Sequence, residues 1–227
     1  MASLHILSGG AANSLVNKLQ AQFQQQTGLE VAGTFSAVGQ MKEALLAGEP
    51  CDLVILTEAL VRELVASGHL DGASARSLGG VPTGVGVPAG QSQPPMASPE
   101  QLAQALGQAE GIYMADPVKA PAGIHFMKVL RELGLDQSLA PRLKGFPNGQ
   151  TAMAAMVRDS QVTHGLLIGC TQVTEILNTP GAQLAGLLPP PLELVTPYWA
   201  AVTRRSAQAQ AATQMLDLLS APAQAEL

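Results

Sequence analysis

Aromatic side chains are nearly absent, with tryptophan, tyrosine and phenylalanine together making up 3% of the chain. A core must therefore be assembled from Leu, Val, Ala, Met and Ile. Charge is thin too, at 13% of residues, and its balance is acidic, with 12 Lys and Arg against 17 Asp and Glu. Nucleic acid needs a basic face to neutralise phosphate, so that partner is excluded. No basic amphipathic stripe is present to lie on a membrane surface. No window holds the roughly eighteen consecutive apolar residues of a membrane span. Cysteine is limited to Cys51 and Cys170, each beside an apolar run, which predicts two buried thiols rather than a disulfide. His5, His69, His125 and His164 stand singly without zinc spacing, so neither a metal nor a cofactor is expected. No charged and then apolar leader precedes the first strand. That predicts a cytoplasmic location for the sequence as it stands, or a periplasmic one if a leader peptide has been removed.

What remains is ample for a fold. At 227 residues and 47% apolar, the chain can bury one large core or two smaller ones. No internal repeat of 20 to 50 residues is visible. Apolar periodicity alternates between strand and helix from the start. Strands are predicted at Leu4–Leu7, Glu30–Phe35 and Asp52–Leu56. Helices follow each one: a first carrying Leu15, Leu19 and Phe23 and ended by Gly28, then Gly39–Ala47 and Glu58–Ser67. Short helical crossovers make βαβ units, so the sheets should be mostly parallel. Glycine and proline cluster between Gly79 and Gln101, around a strand at Thr83–Val87. Ser98-Pro99-Glu100-Gln101 then reads as a helix start, with Ser98 as cap and Gln101 reaching back. The alternation resumes with strand Gly111–Ala115 and helix Ala122–Leu133. Helix Gln150–Asp159, strand His164–Ile168 and helix Thr171–Asn178 follow. A second proline-rich stretch leads into strand Leu194–Val202, and helix Ala207–Leu219 closes the chain. The two Pro/Gly-rich stretches divide it into a first lobe, residues 1–82 plus 200–227, and a second, residues 83–199, with a ligand cleft expected between them.

Ligands of open α/β sheets sit beyond the carboxyl ends of the strands, beside helix N-termini whose unpaired N–H groups attract anions. Four turns fit that description: Ser8–Asn13, Ser36–Gln40, Lys119–Gly123 and Asn148–Thr151. Any one of them is an ordinary βα turn, but two fall in each proposed lobe.

Three stretches carry a resemblance. Glu43–Leu60 has a helix ending in Gly, then Pro and Asp leading into a strand. Ala115–Leu135 contains the run Asp-Pro-x-x-x-Pro-Ala-Gly-Ile, and Thr151–Gly169 matches the helix and strand that follow. Across nearly its whole length the chain resembles the molybdate-type periplasmic solute-binding proteins. The resemblance implies an α/β, two-lobed type II periplasmic-binding-protein clamshell, each lobe a mostly parallel sheet flanked by helices. It also implies a small anionic ligand, and an ABC permease as partner if the chain is exported. Receptors of that family hold their oxyanion with serine hydroxyls in the first two loops and a tyrosine in the second lobe. Here Ala11 stands at the first serine, Val38 or Gly39 at the second, and Ile168 at the tyrosine.

The polar groups present instead are Ser8, Asn13, Ser36, Gln40, Thr57, Gln150, Thr171 and Gln172. Backbone donors would come from Gly9, Gly10 and Ala11, from Val38, Gly39 and Gln40, from Ala122 and Gly123, and from Gln150 and Thr151. This set predicts an organic carboxylate rather than molybdate. The same fold family includes the aconitate isomerases, which implies a second expectation: a cytoplasmic carboxylate isomerase. Its proton-transfer candidates are His125, Lys119 and Glu43. A ligand-sensing domain of a regulator is the weaker third expectation, since no helix-turn-helix segment is visible. Tyr198 and Trp199 read as core packing.

Overall fold

The computed structural model describes residues 3–221. They form two compact units: one takes the chain up to Gly80 and again from Pro197, and the other is Val81–Thr196.

The first unit follows βαβ logic. Strand β1 (Ser3–Gly9) leads through a short 3-10 turn, Gly10–Ala12, into α1 (Asn13–Thr27). Helix α1 buries Val16, Leu19 and Phe23 at helical spacing, and Gly28 ends it in the left-handed conformation that glycine adopts without strain. Then come β2 (Glu30–Ser36), α2 (Val38–Ala47), β3 (Leu53–Thr57) and α3 (Glu58–Ala66). Strands β1, β2 and β3 are parallel with β1 central.

The second unit is entered within β4 (Arg76–Pro88) and left within β9 (Val195–Val202). Between them lie α4 (Pro99–Gln108), β5 (Gly111–Ala115), α5 (Pro121–Glu132), the short α6 (Asp136–Leu139), β6 (Leu143–Phe146), α7 (Gly149–Asp159), β7 (Leu167–Gln172), α8 (Val173–Leu177) and β8 (Ala182–Leu187). Strands β6, β5 and β7 are parallel, β4 joins β7 antiparallel, and β8 pairs with β4. Strand β9 adds to β3 antiparallel in the first unit, and α9 (Ala209–Leu219) packs on α1. The expectation of mostly parallel sheets in an α/β fold is met, with the antiparallel strands being the two that carry the chain across and their neighbour β8.

Local chemistry explains most element ends. Ser98 accepts the Gln101 N–H at 3.3 Å and Pro99 occupies the first turn of α4, as expected. The Gln101 side chain reaches one residue further back than the capping box requires, to the Ala97 N–H at 2.8 Å. The Pro-Ala-Gly run also has a packing reason. A side chain at Gly123 would stand 2.3 Å from the Asp116 carbonyl and 2.4 Å from that of Ala115, so only glycine lets α5 start against that turn. Asp116 organises the same turn by accepting the N–H groups of Val118 and Lys119.

Two elements differ from the reading of the sequence. The strand expected at His164–Ile168 is β7, Leu167–Gln172, and the helix expected at Thr171–Asn178 begins only at Val173. Thr171 and Gln172 therefore end a strand instead of opening a helix. The cause is β4, which pairs Gly84 with Thr171 and Thr83 with Gln172 and so carries the ladder past the apolar run. Strand β4 is likewise longer than the expected Thr83–Val87, and β6 and β8 lack the alternation that would have announced them.

Candidate functional site

In the first unit, the carboxyl ends of three parallel strands and the start of β9 bring the predicted residues to one edge. Gly9 lies opposite Ser36, Ser8 opposite Ile55, and Thr57 opposite Tyr198. Ser8, Ala11, Ser36 and Val38 are buried, while Gly10, Asn13, Gly39 and Thr57 are half-buried and Gln40 is exposed. Neither α1 nor α2 receives a side-chain cap. The Ser36 hydroxyl donates to Gln40 Oε1 at 2.6 Å, and the Ser8 hydroxyl to the Gly9 carbonyl at 2.9 Å, so both are engaged within the chain. The donors that α2 leaves uncapped are backbone N–H groups, as a helix start for an anion requires.

Tyr198 belongs to this edge, which its sequence context did not reveal. A side chain at Gly9 would meet Val38 Cγ1 at 2.7 Å and Tyr198 Cε1 at 2.9 Å, with the phenol oxygen at 3.3 Å. The phenol of β9 is thus packed against the turn that leads from β1 towards α1. Its neighbour Trp199 is engaged elsewhere, with the Arg62 guanidinium 5.1 Å from its ring centroid.

In the second unit the turns are furnished differently. Helix α5 has no side-chain cap, and Ala122 and Gly123 at its start are buried. Helix α7 is capped completely. Asn148 Oδ1 accepts the Thr151 N–H at 2.8 Å, and the Thr151 hydroxyl closes the box. Glu175 Oε1 accepts the Gly149 N–H at 3.1 Å, and Oε2 accepts the Thr171 hydroxyl at 2.5 Å. The backbone N–H groups of Gln150 and Gln172 also bond to this carboxylate. Burial pushes the Glu175 carboxyl above its ordinary pKa, against the opposing pull of those four donors. Gln172 is buried at the end of β7 opposite Thr83, whose hydroxyl is buried without a partner.

The three proton-transfer candidates lie in ordinary surroundings. His125 Nε2 is 2.8 Å from the Leu192 carbonyl, a contact that pins the connection before β9. Glu43 is exposed on α2, and Lys119 is half-buried in the Asp116 turn. Neither cysteine is an activated nucleophile: desolvation pushes the Cys51 thiol up to about 12 and Cys170 higher still. Both are free and buried, as their sequence context predicted. Among the described residues no cluster of His, Cys, Asp and Glu could hold a metal ion. Nor is any described helix long and apolar enough to cross a membrane.

Known proteins can now be set beside this geometry. The family model of the bacterial extracellular solute-binding proteins matches residues 4–227. The aconitate isomerase of a Pseudomonas species is 24% identical over 225 residues, 96% of this chain and 82% of that protein. The molybdate-binding protein ModA of Escherichia coli K12 is 26% identical over 168 residues, 72% of this chain and 65% of its own. Among solved structures, the periplasmic molybdate-binding protein of Azotobacter vinelandii superposes with a TM-score of 0.79 at 18% identity, covering 99% of this chain and 96% of that one. The sulfate-binding protein SubI of Mycobacterium tuberculosis gives 0.68 at 16% identity, with 99% and 83% covered. With a family match over almost its entire length and the fold of the molybdate-type receptors, the chain belongs to the bacterial extracellular solute-binding proteins.

Proposed function

We propose that the protein binds a small organic carboxylate through backbone N–H groups at the turns after β1 and β2, and works with an ABC permease when exported. One observation carries this reading. Helices α1 and α2 begin without side-chain caps, next to positions where the molybdate-type pattern would place hydroxyls. Those positions hold Ala11 and either Val38 or Gly39, while Ile168, set at the tyrosine, lies within the sheet opposite Ile112. Each hydroxyl bond to a charged ligand contributes about 1.5–3 kcal/mol, so losing two weakens a tetrahedral oxyanion by about two to four orders of magnitude. Uncapped N–H groups still serve a planar carboxylate.

A thermal-shift screen tests the reading. A ligand at a hundredfold excess over its Kd adds about 2.7 kcal/mol of stability, a shift easily resolved. Organic acids should raise the midpoint, and molybdate, tungstate and sulfate should not. Stabilisation by micromolar molybdate with no response to any carboxylate would show the ligand class to be wrong.

The similarity to an aconitate isomerase over 96% of the chain supports a second reading, turnover of the bound acid. Incubating a stabilising acid with the protein in deuterated water separates the two. Deuterium entering the ligand, or its conversion to an isomer, marks an enzyme; an unchanged ligand marks a receptor.

A further inference from the structure

On the face of the second unit's sheet that carries α5, one row of β4 changes from valine to threonine. Val85 and Val87 are fully buried, and Val85 stands opposite Cys170 in a core cluster shared with Leu102 of α4 and Phe126 of α5. Two residues earlier on the same face β4 has Thr83, opposite Gln172, and the two are 1% and 2% exposed. The Thr83 backbone is fully used: its N–H donates to the Leu194 carbonyl at 2.8 Å and its carbonyl accepts the Leu188 N–H at 3.3 Å. Thr196, also buried, follows two residues after Leu194. Neither the Thr83 nor the Thr196 hydroxyl has a hydrogen-bond partner among the described residues. The start of α5 lies at the same level. Met114 of β5 is opposite Cys170, so two residues further on Asp116 is level with Gln172, and Gly123 packs against the Asp116 carbonyl. His125 of α5, through the Leu192 carbonyl, ties down the stretch that leads to Thr196.

A buried hydroxyl without a partner costs stability, and valine fills the same shape without that cost. Threonine at such a place breaks the local rule, as residues kept for a ligand do. We propose that Thr83 and Thr196, beside the amide of Gln172, form a binding subsite within the second unit that takes a hydroxyl group of a small polar molecule. The three side chains are uncharged, which suits a neutral group. A threonine hydroxyl both donates and accepts, so a ligand hydroxyl uses both capacities, whereas a carboxylate oxygen uses only one. The subsite lies wholly within Val81–Thr196 and stands whether or not the turns after β1 and β2 hold a carboxylate.

Thr83→Val and Thr196→Val, made in the full chain, test it in two ways. Without ligand, each should raise the melting point by about 2 °C or more, because an unpaired polar group has been removed. A lower melting point in both overturns the proposal, since the hydroxyls then have partners within the fold. Calorimetric titration follows with solutes that differ by one hydroxyl: lactate against propionate, malate against succinate, and the neutral lactamide against propionamide. The wild type should bind at least one hydroxylated member about tenfold more tightly than its partner. In the valine variants that preference should fall below about threefold, so that stability rises while selectivity is lost, which a packing role would not produce. A preference kept in both variants overturns the proposal. So does a wild type that prefers no hydroxylated solute, whose threonines then meet only water. A hydroxyl preference among the amides, with no acid bound, supports this subsite and refutes the carboxylate reading; acids bound without any hydroxyl preference do the reverse.

Discussion

Helix α2 begins at Val38 with no side chain turned towards its first N–H groups, whereas α7 begins at Gly149 with Asn148, Thr151 and Glu175 all engaged around them. Both helices follow a parallel strand, and both turns contain glycine and small polar residues. What separates them is where the donors go. Every helix start has N–H groups without internal partners, and these must be met by side chains, water or a ligand. The second unit meets those of α7 itself, and so α7 reads as structural ground. The first unit leaves its own open, beside the phenol of Tyr198.

The comparison can be broken most forcefully at Gly149. Gly149→Ala pushes a methyl into the Thr171 and Glu175 oxygens, and it should cost about 3 kcal/mol in urea denaturation, at the upper end for overpacking. The matching change in the first unit, Gly9→Ala, meets only the Val38 and Tyr198 side chains and should cost between about 1 and 2 kcal/mol. Equal losses would mean that the two turns are equally rigid. Tyr198→Phe should weaken binding of a stabilising carboxylate about tenfold in calorimetric titration, the size of one hydrogen bond to a charged group. The reverse result, a lower melting point with unchanged affinity, would return Tyr198 to the core. Asn148→Ala removes a cap and should cost about 1 kcal/mol without changing affinity.

The smallest effect concerns pH. Asp159 accepts hydrogen bonds from Tyr113 at 2.6 Å and Lys144 at 3.0 Å, which lower its pKa from 3.8 to about 2. A depressed carboxylate stabilises the fold fully above its unfolded value and loses that contribution as the pH falls through the folded one. The stability difference between wild type and Asp159→Asn should therefore be constant above about pH 5 and shrink between 3.8 and 2. The Lys144 side chain is 47% exposed, so solvent screening holds the effect to about 1 kcal/mol or less.

What could be read in advance was local. The α1 stripe of Leu19 and Phe23, the Gly28 cap and the Ser98-Pro99 start each depend on residues within one or two turns, and each is present in the structure. So are the burial of Cys51 and Cys170 and the alternation that yields parallel sheets. The end of β7 was not legible. Thr171 and Gln172 look like a helix opening, and only their partners Gly84 and Thr83, contributed by a distant strand, hold them extended. Glu175 escaped for the same reason, since its partner Gly149 is 26 residues away. Tyr198 meets Gly9 across almost the whole chain, and no pattern of neighbours announces that contact.

The route of the chain through β4 and β9 has a consequence for synthesis. Val81–Thr196 is one uninterrupted segment, so every pairing of β5 with β6 and β7 is available once that segment has left the ribosome. The first unit has no such freedom. Its strand β3 must wait for a partner, Leu53 for Val202 and Thr57 for Tyr198, from a part of the chain made roughly 140 to 150 residues later. Until then β3 presents an unpaired edge of Leu53, Val54, Ile55 and Leu56, the kind of apolar strand that invites a wrong neighbour. Birth order therefore makes the inserted segment the early folder and the split unit the one exposed to misassembly, with the seating of β9 as its last step.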